Sequence, residues 1–359
     1  MLMYSIRARL DAVKKAIKKL GVDSLLVFDI INVRYLTGFT GSSGFLYITH
    51  DHNVFITDFR YKEQAQKEIK GWDIIIESGN RIKIIDRLIK KTSSKITGFE
   101  SSISYNLYRK LTKSDTILRD VDCVIEHIRL IKQEEEIAKI KKAVERAENA
   151  FLETKPFIRE GQTELQLANL LEERLKKQGC RCLPFDIIVA SGPNSAMPHA
   201  KPTNRRFQKG DMIIIDWGGE ADGYFSDMTR TFILKGGKDY RKKTAIYNIV
   251  FRANQKSVSS VKPGINSRKI DTIAREYIKE KGFGNYFGHG TGHGVGLQVH
   301  EAPRITWNQS TILKNNMVFT IEPGIYIPEL GGVRIEDMVV VKEEGCEVLT
   351  QLPKKLEII

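Results

Sequence analysis

Residues 210–234, GDMIIIDWGGEADGYFSDMTRTFIL, decide the fold. They read as a β-hairpin: an apolar strand up to Asp216, a turn within GEADG, and a second strand from Tyr224 onward. A two-residue loop at Ala221-Asp222 sets Asp216 directly opposite Asp227. A loop at Asp222-Gly223 instead pairs Asp227 with Gly218, which faces the same way as Asp216. Either even loop puts both carboxylates on one face, whereas a three-residue loop without a bulge splits them. Aspartate is disfavoured in strands, and the run Met212–Ile215 predicts burial. Two buried like charges on one face need a cation.

A second acidic pair lies in MVFTIEPGIYIPELGGVRIEDMVVV, residues 317–341. Glu322 ends an apolar strand at a Pro-Gly break. Glu336 interrupts a strand that otherwise reads as core, with Arg334 on its face by alternation. One acid in such a place is ordinarily a salt-bridged structural residue, but four point to a metal site.

Residues 289–301, HGTGHGVGLQVHE, hold three of the seven histidines. His289 and His293 are four apart, but Gly290, Gly292, Gly294 and Gly296 would each cost a helix about 1 kcal/mol, so the stretch is extended or turning. Taken alone, it is equally a glycine-rich surface loop with incidental histidines. In an extended chain His293 and His300 differ in parity, and both face one site only if the strand turns or bulges between them. The glycines are expected to leave backbone room for a ligand.

Four carboxylates and one imidazole suit two divalent ions bridged by carboxylates and a water. Oxygen-dominated ligation favours Mn2+, Co2+ or Fe2+ over zinc. Two such ions lower the pKa of a shared water and give a hydroxide nucleophile at neutral pH, so the expected chemistry is hydrolysis.

Around this core the chain reads as two domains. Residues 1–130 alternate helical and strand signals (helix 5–20, then SLLVFD, FLYIT, NVFIT, WDIIIES and KITGFES as strands, with RYKEQAQKEI and NRIKIIDRLIKK as helices between the later ones), an α/β domain with a mixed sheet. KQEEEIAKIKKAVERAENAF, residues 132–151, is an amphipathic helix and opens a second domain, 131–359. This second domain echoes itself. Shifting the sequence by 103 aligns Gly161 with Gly264, Leu167 with Ile270, Leu175 with Ile278 and Gly179 with Gly282, which suggests two related halves.

The start is charged and amphipathic and does not read as a signal peptide, and no apolar run reaches the length of a membrane span. Four cysteines without a CxxC pair read as thiols, and a cytoplasmic location is expected. The net charge of +13 raises a nucleic-acid partner, but lysines on polar helix faces explain it and no recognition motif accompanies them, so none is expected.

Asp-Trp-Gly-Gly with a second Asp eleven residues on, GTGHGVGLQVHE, IEPGIY and GGVRIED, in that order, resemble the pita-bread metallopeptidases, most of all the Xaa-Pro peptidases aminopeptidase P and prolidase. VRYLTGFTGSSGFLYIT and FITDFRYKEQA are similar to their creatinase-like N-terminal domain, so the resemblance spans essentially the whole chain. It implies an α/β (α+β) fold in which a creatinase-like domain precedes a pita-bread domain. It also implies that Asp216, Asp227, His293, Glu322 and Glu336 hold two metals, with Asp227 and Glu336 bridging and Glu322 doubling as general base. His199 and His300 match the histidines that hold the scissile carbonyl. His289 matches a wall position, and Tyr326 and Arg334 match outer residues that bind substrate or orient the carboxylates. Ala200 stands where many relatives have glycine, which removes no functional group. The expected activity is Xaa-Pro aminopeptidase, with Xaa-Pro dipeptidase as the alternative, acting as a homodimer on proline-containing peptides. A basic nucleic-acid-binding or scaffolding protein that retains the fold is the alternative of another class, and the full ligand set speaks against it.

Overall fold

The computed structural model describes residues 2–114 and 116–359, and the chain divides between Arg129 and Leu130 into two compact units. The first runs α1 (Leu2–Leu20), β1 (Ser24–Val27), α2 (Ile30–Thr37), β2 (Phe45–Thr49), β3 (Asn53–Asp58), α3 (Lys62–Glu68), β4 (Asp73–Glu77), α4 (Arg81–Thr92), β5 (Ile96–Phe99), α5 (Tyr105–Leu111), β6 (Ile117–Asp120) and α6 (Val124–Arg129). Its mixed sheet has the order β4-β3-β2-β1-β5-β6, with β2 antiparallel to both neighbours and the other pairs parallel. Phe45, Tyr47, Ile56 and Ile85 fill its core. The expected strands stand where the sequence puts them, but β6, α2, α5 and α6 were not expected. The α2 sequence, IINVRYLT, carries β-branched residues that weaken its helical signal. Its ends fix it: the Asp29 side chain accepts from Ile31 N, and Gly38 closes it at φ 78°.

The second unit consists of two halves. The first holds α7 (Glu134–Thr154), α8 (Glu164–Lys177), β7 (Ile188–Ser191), β8 (Met212–Trp217), β9 (Glu220–Ala221), β10 (Tyr224–Phe225) and β11 (Met228–Ile233). The second holds α9 (Tyr240–Ser260), α10 (Ser267–Glu280), β12 (Gly292–Gly294), β13 (Glu301–Ile305), β14 (Val318–Ile321), β15 (Gly324–Ile327), β16 (Gly331–Arg334), β17 (Asp337–Lys342) and β18 (Gly345–Val348). The strands form sheets of order β11-β8-β7 and β13-β12-β14-β17-β18, with short ribbons β9-β10 and β15-β16.

The shift of 103 carries α8 onto α10 from first residue to last, and the helix N-cap Thr163 onto Asn266. It also carries left-handed Gly161 (φ 83°) onto Gly264 (φ 81°), and Gly179 (φ 93°) onto Gly282 (φ 87°). The two helices therefore share their entries and exits as well as their apolar pattern, since only glycine takes such φ values without steric cost.

The Trp-Gly-Gly after Asp216 fixes β8 against α7. The Trp217 ring stacks on Phe151 at 4.4 Å and its Nε1 donates to Ala147 O at 2.9 Å. A Cβ on Gly219 would stand 2.4 Å from Ala143 O, so only glycine admits the helix this close.

Candidate metal centre

The hairpin closes on Asp222-Gly223. Tyr224 pairs with Ala221, and both loop residues have positive φ (51° and 81°), as a type I′ turn requires. The same register pairs Thr229 with Asp216, so Asp227 falls opposite Gly218 on the face of Asp216. Both aspartates are buried, at 9% and 4% exposure.

His293 lies in β12 beside a bulge between His293 and Gly294, after which the chain bends up to Glu301. The bulge reconciles the parity of the two imidazoles: His293 and His300 meet edge to face, with ring centroids 4.4 Å apart. Gly292, Gly294 and Gly296 do not leave side-chain space for a peptide. A Cβ on Gly292 would stand 1.9 Å from Thr320 O, one on Gly294 2.0 Å from Ala302 O, and one on Gly296 2.6 Å from a Glu301 carboxylate oxygen. The protein's own neighbouring strands and the Glu301 side chain take that space, which corrects the expectation.

Glu322 follows β14 and Glu336 sits between β16 and β17. Asp216, Asp227, His293, Glu322 and Glu336 line one cleft of about 650 Å3 with His199, His289, His300 and Arg334. Tyr326 lies behind the wall: its hydroxyl bonds His289 Nε2 and accepts from Arg334 Nη1, both at 2.9 Å. Arg334 also donates to Asp216 Oδ2 (2.5 Å), Thr229 Oγ1 (3.0 Å) and Pro198 O (3.1 Å).

The donor set fits metal. Oxygen and nitrogen atoms of Asp216, Asp227 and Glu336, of His293, Glu322 and Glu336, and of Asp227, His293 and His300 form three groups, each with its atoms within 4.8 Å of one another. Among the described residues Asp216 Oδ1 and Asp227 Oδ1 are buried without a hydrogen-bond partner, a costly state for an anion unless a cation meets it. The His293 Nδ1 lies 3.1 Å from Gly294 O; a proton donated there leaves the Nε2 lone pair facing Asp227 Oδ2 and Glu322 Oε1, each 3.5 Å away.

Charge states follow from this crowding. Burial, then repulsion from Glu336, Asp216 and Glu322, raises Asp227 well above the usual carboxyl range. Burial and its acidic neighbours raise Glu336 likewise. Burial foremost lifts Glu322 to about 7. Burial, then His300, holds His293 down to about 3, so it stays neutral and able to ligate. Burial, then Arg334, holds His289 down to about 4.

Some residues around the site were not foreseen. The Thr229 hydroxyl donates to Glu336 Oε2 at 2.7 Å, and buried Arg230 donates to Glu336 O at 2.6 Å while pairing with Asp337 at 3.1 Å. An arginine in a strand that otherwise reads as core was the available signal. Arg304 and Lys201 line the cleft with exposed side chains, and no local pattern marks them.

Residues 138–343 match Metallopeptidase family M24, and residues 9–131 match the Creatinase/Prolidase N-terminal domain. The chain belongs to metallopeptidase family M24. Its fold is the pita-bread fold preceded by a creatinase-like domain, as the resemblance implied. This M24 peptidase is 37% identical to a Xaa-Pro dipeptidase of Pyrococcus furiosus over 98% of its own length and all of the relative. Among solved structures it is similar to a Xaa-Pro dipeptidase from Bacillus anthracis (40% identity, 99% and 100% covered, TM-score 0.95). An X-Pro aminopeptidase from Thermotoga maritima is also similar (36% identity, 98% and 99% covered, TM-score 0.89).

The raised carboxyls make the metal-free protein sensitive to pH. Between the ordinary glutamate value of 4.5 and about 7, the folded state holds a proton on Glu322 that the unfolded state has released, so stability falls as pH rises through that window. Below it both states are protonated, and above it the loss is complete. Thermal unfolding in chelator, from about pH 5 to pH 8, is expected to fall more steeply for the parent than for Glu322→Gln, with manganese restoring the loss. A parent that gains stability relative to Glu322→Gln across that range would contradict the assignment.

Proposed function

We propose that the protein is a metal-dependent exopeptidase that cleaves the bond between a residue and a following proline, using two divalent ions with Mn2+ foremost. The observation that carries this reading is the ring of Asp216, Asp227, His293, Glu322 and Glu336, buried except for half-buried Glu322, with two carboxylate oxygens unpartnered among the described residues. Asp227 and Glu336 would bridge the ions, Asp216 and His293 would each complete one side, and Glu322 would ligate as well. When bound, the ions lower the pKa of the attacking water and polarise the scissile carbonyl. Glu322 would take the proton of the attacking water and pass it to the leaving proline nitrogen. His199 and His300 stand at the cleft wall, where an imidazole N–H can donate to the carbonyl oxygen as charge develops on it. Arg334 holds Asp216, with Tyr326 and His289 behind it.

We infer that dipeptides, the alternative substrates in the sequence reading, are preferred over longer peptides. Arg304 is an exposed cation on the cleft wall, its side chain makes no hydrogen bond or ion pair among the described residues, and it suits the free carboxylate of the C-terminal proline of a dipeptide. The Pyrococcus furiosus and Bacillus anthracis relatives carry the dipeptidase name. The aminopeptidase reading keeps the support of the Thermotoga maritima neighbour.

Hydrolysis of Xaa-Pro against Xaa-Pro-Yaa peptides, in manganese and in cobalt, tests the choice. Xaa-Pro is expected to be cleaved at the higher kcat/KM, and Arg304→Ala to raise KM for Xaa-Pro by about 10-fold or more while changing Xaa-Pro-Yaa little. Higher kcat/KM on the longer peptides, with Arg304→Ala neutral on both, would favour the aminopeptidase. Cleavage of neither peptide would defeat the proposal.

The histidines separate by role. His300→Ala is expected to lower kcat by roughly 10²–10³-fold with metal content unchanged, the cost of losing one oxyanion donor. His293→Ala is expected to lose metal affinity, recovered in part by added manganese. Metal loss in His300→Ala, or normal affinity in His293→Ala, would reverse the assignment.

A further inference from the structure

His199 makes no hydrogen bond of its own among the described residues, and its side chain is exposed on the cleft wall. Its place is therefore inherited from the backbone that carries it, residues 192–202 after β7. One carboxylate ties both ends of that segment. Glu164, in the first turn of α8 and 0% exposed, accepts at Oε1 from Ser191 N (2.8 Å) and Ser191 Oγ (2.7 Å). Its Oε2 accepts from Thr203 N (3.0 Å) and Thr203 Oγ1 (2.6 Å). Asn194 Nδ2, inside the segment, reaches both oxygens at 3.1 Å. A carboxylate is expensive to bury unless its lone pairs are filled, and here the segment and its two ends fill them.

The internal repeat supplies the comparison. In the first half, Gly161 N donates to Phe207 O and Glu164 N to Arg205 O; in the second, Gly264 N donates to Leu313 O and Ser267 N to Thr311 O. The shift of 103 carries Glu164 onto Ser267, a buried serine whose hydroxyl accepts from Thr311 N at 3.1 Å. The fold thus closes this helix onto its returning segment without a carboxylate. The carboxylate occurs in the half whose segment bears a cleft histidine.

We infer that Glu164 is a positioning residue for His199: by gathering Ser191, Asn194 and Thr203 at one point, it fixes residues 192–202 and holds the imidazole on the cleft wall before substrate arrives. Arg334 steadies the other side of the segment through Pro198 O (3.1 Å), and Gly332 N does so through Ser195 Oγ (2.9 Å). Glutamine cannot replace the carboxylate, because its amide NH2 would face a backbone N–H at one end of the segment. What His199 does rests on the Xaa-Pro reading, but how it is held does not.

The test compares the parent, Glu164→Gln, His199→Ala and the double variant as manganese-loaded full-length protein. Glu164→Gln is expected to speed amide hydrogen exchange across residues 192–202 by about 10-fold or more, leaving residues 288–301 and bound manganese as in the parent. Its kcat/KM on Xaa-Pro is expected to fall about 10- to 100-fold, since small misplacements of a catalytic group carry costs of that size. In the His199→Ala background the same substitution is expected to change kcat/KM by less than about 3-fold, because the group it positions has gone. Equal losses in both backgrounds, or unchanged exchange over residues 192–202, would overturn the inference. Should Glu164→Gln not fold, Thr203→Val, which removes one donor from the carboxylate, enters the same cycle with the same expected coupling. If the parent cleaves no Xaa-Pro bond, the functional reading falls and the exchange comparison alone decides this inference.

Discussion

Four carboxylates share one buried space in this protein, and their repulsion is the constraint to which the rest of the catalytic unit answers. Asp227 and Glu336 are raised well above the usual range by burial and by their acidic neighbours, and one oxygen each of Asp216 and Asp227 has no hydrogen-bond partner among the described residues. Arg334 supplies one positive charge and spends it on Asp216. Arg230, the other buried arginine beside the cluster, is paired with Asp337 and reaches Glu336 through its backbone oxygen. These buried arginines therefore do not balance the cluster, and divalent metal would.

The two halves explain how such a cluster is assembled. The first half delivers Asp216 and Asp227 from a single hairpin, with His199 on the segment after β7. The second delivers His293, Glu322 and Glu336 from neighbouring strands, with His300 beyond a bulge. Hydrogen bonds join the halves at the site itself: Glu336 N donates to Thr229 O, and Arg334 N donates to the Thr231 hydroxyl. Like helices and like turns support both halves, and side chains without a counterpart, such as Glu164, adapt one half to its own wall.

Much of this was legible from residue order. The parity of an even turn placed Asp216 and Asp227 on one face, and the 103-residue echo located the two matching helices, because strand alternation and helix capping are local rules. The glycines of residues 289–301 were misread because a glycine in a strand marks close approach without naming what approaches. Here it is Thr320 O, Ala302 O and the Glu301 carboxylate. Glu164, Arg230 and Arg304 escaped for a related reason. A charged residue at a helix start or in a strand looks alike whether it is solvated, buried in a network or facing a substrate, and only the contacts of the folded chain separate these cases. The helix α2 was hidden by its β-branched residues and fixed by caps at its two ends.

We infer that the carboxylate cluster is built around two ions held by Asp227 and Glu336 together. Anomalous X-ray scattering from crystals grown in manganese tests it most directly. Two peaks about 3.5–4 Å apart are expected, with Asp227 and Glu336 each touching both, His293 touching one, and His300 touching neither. A single peak, or two peaks without a shared carboxylate, would contradict the account.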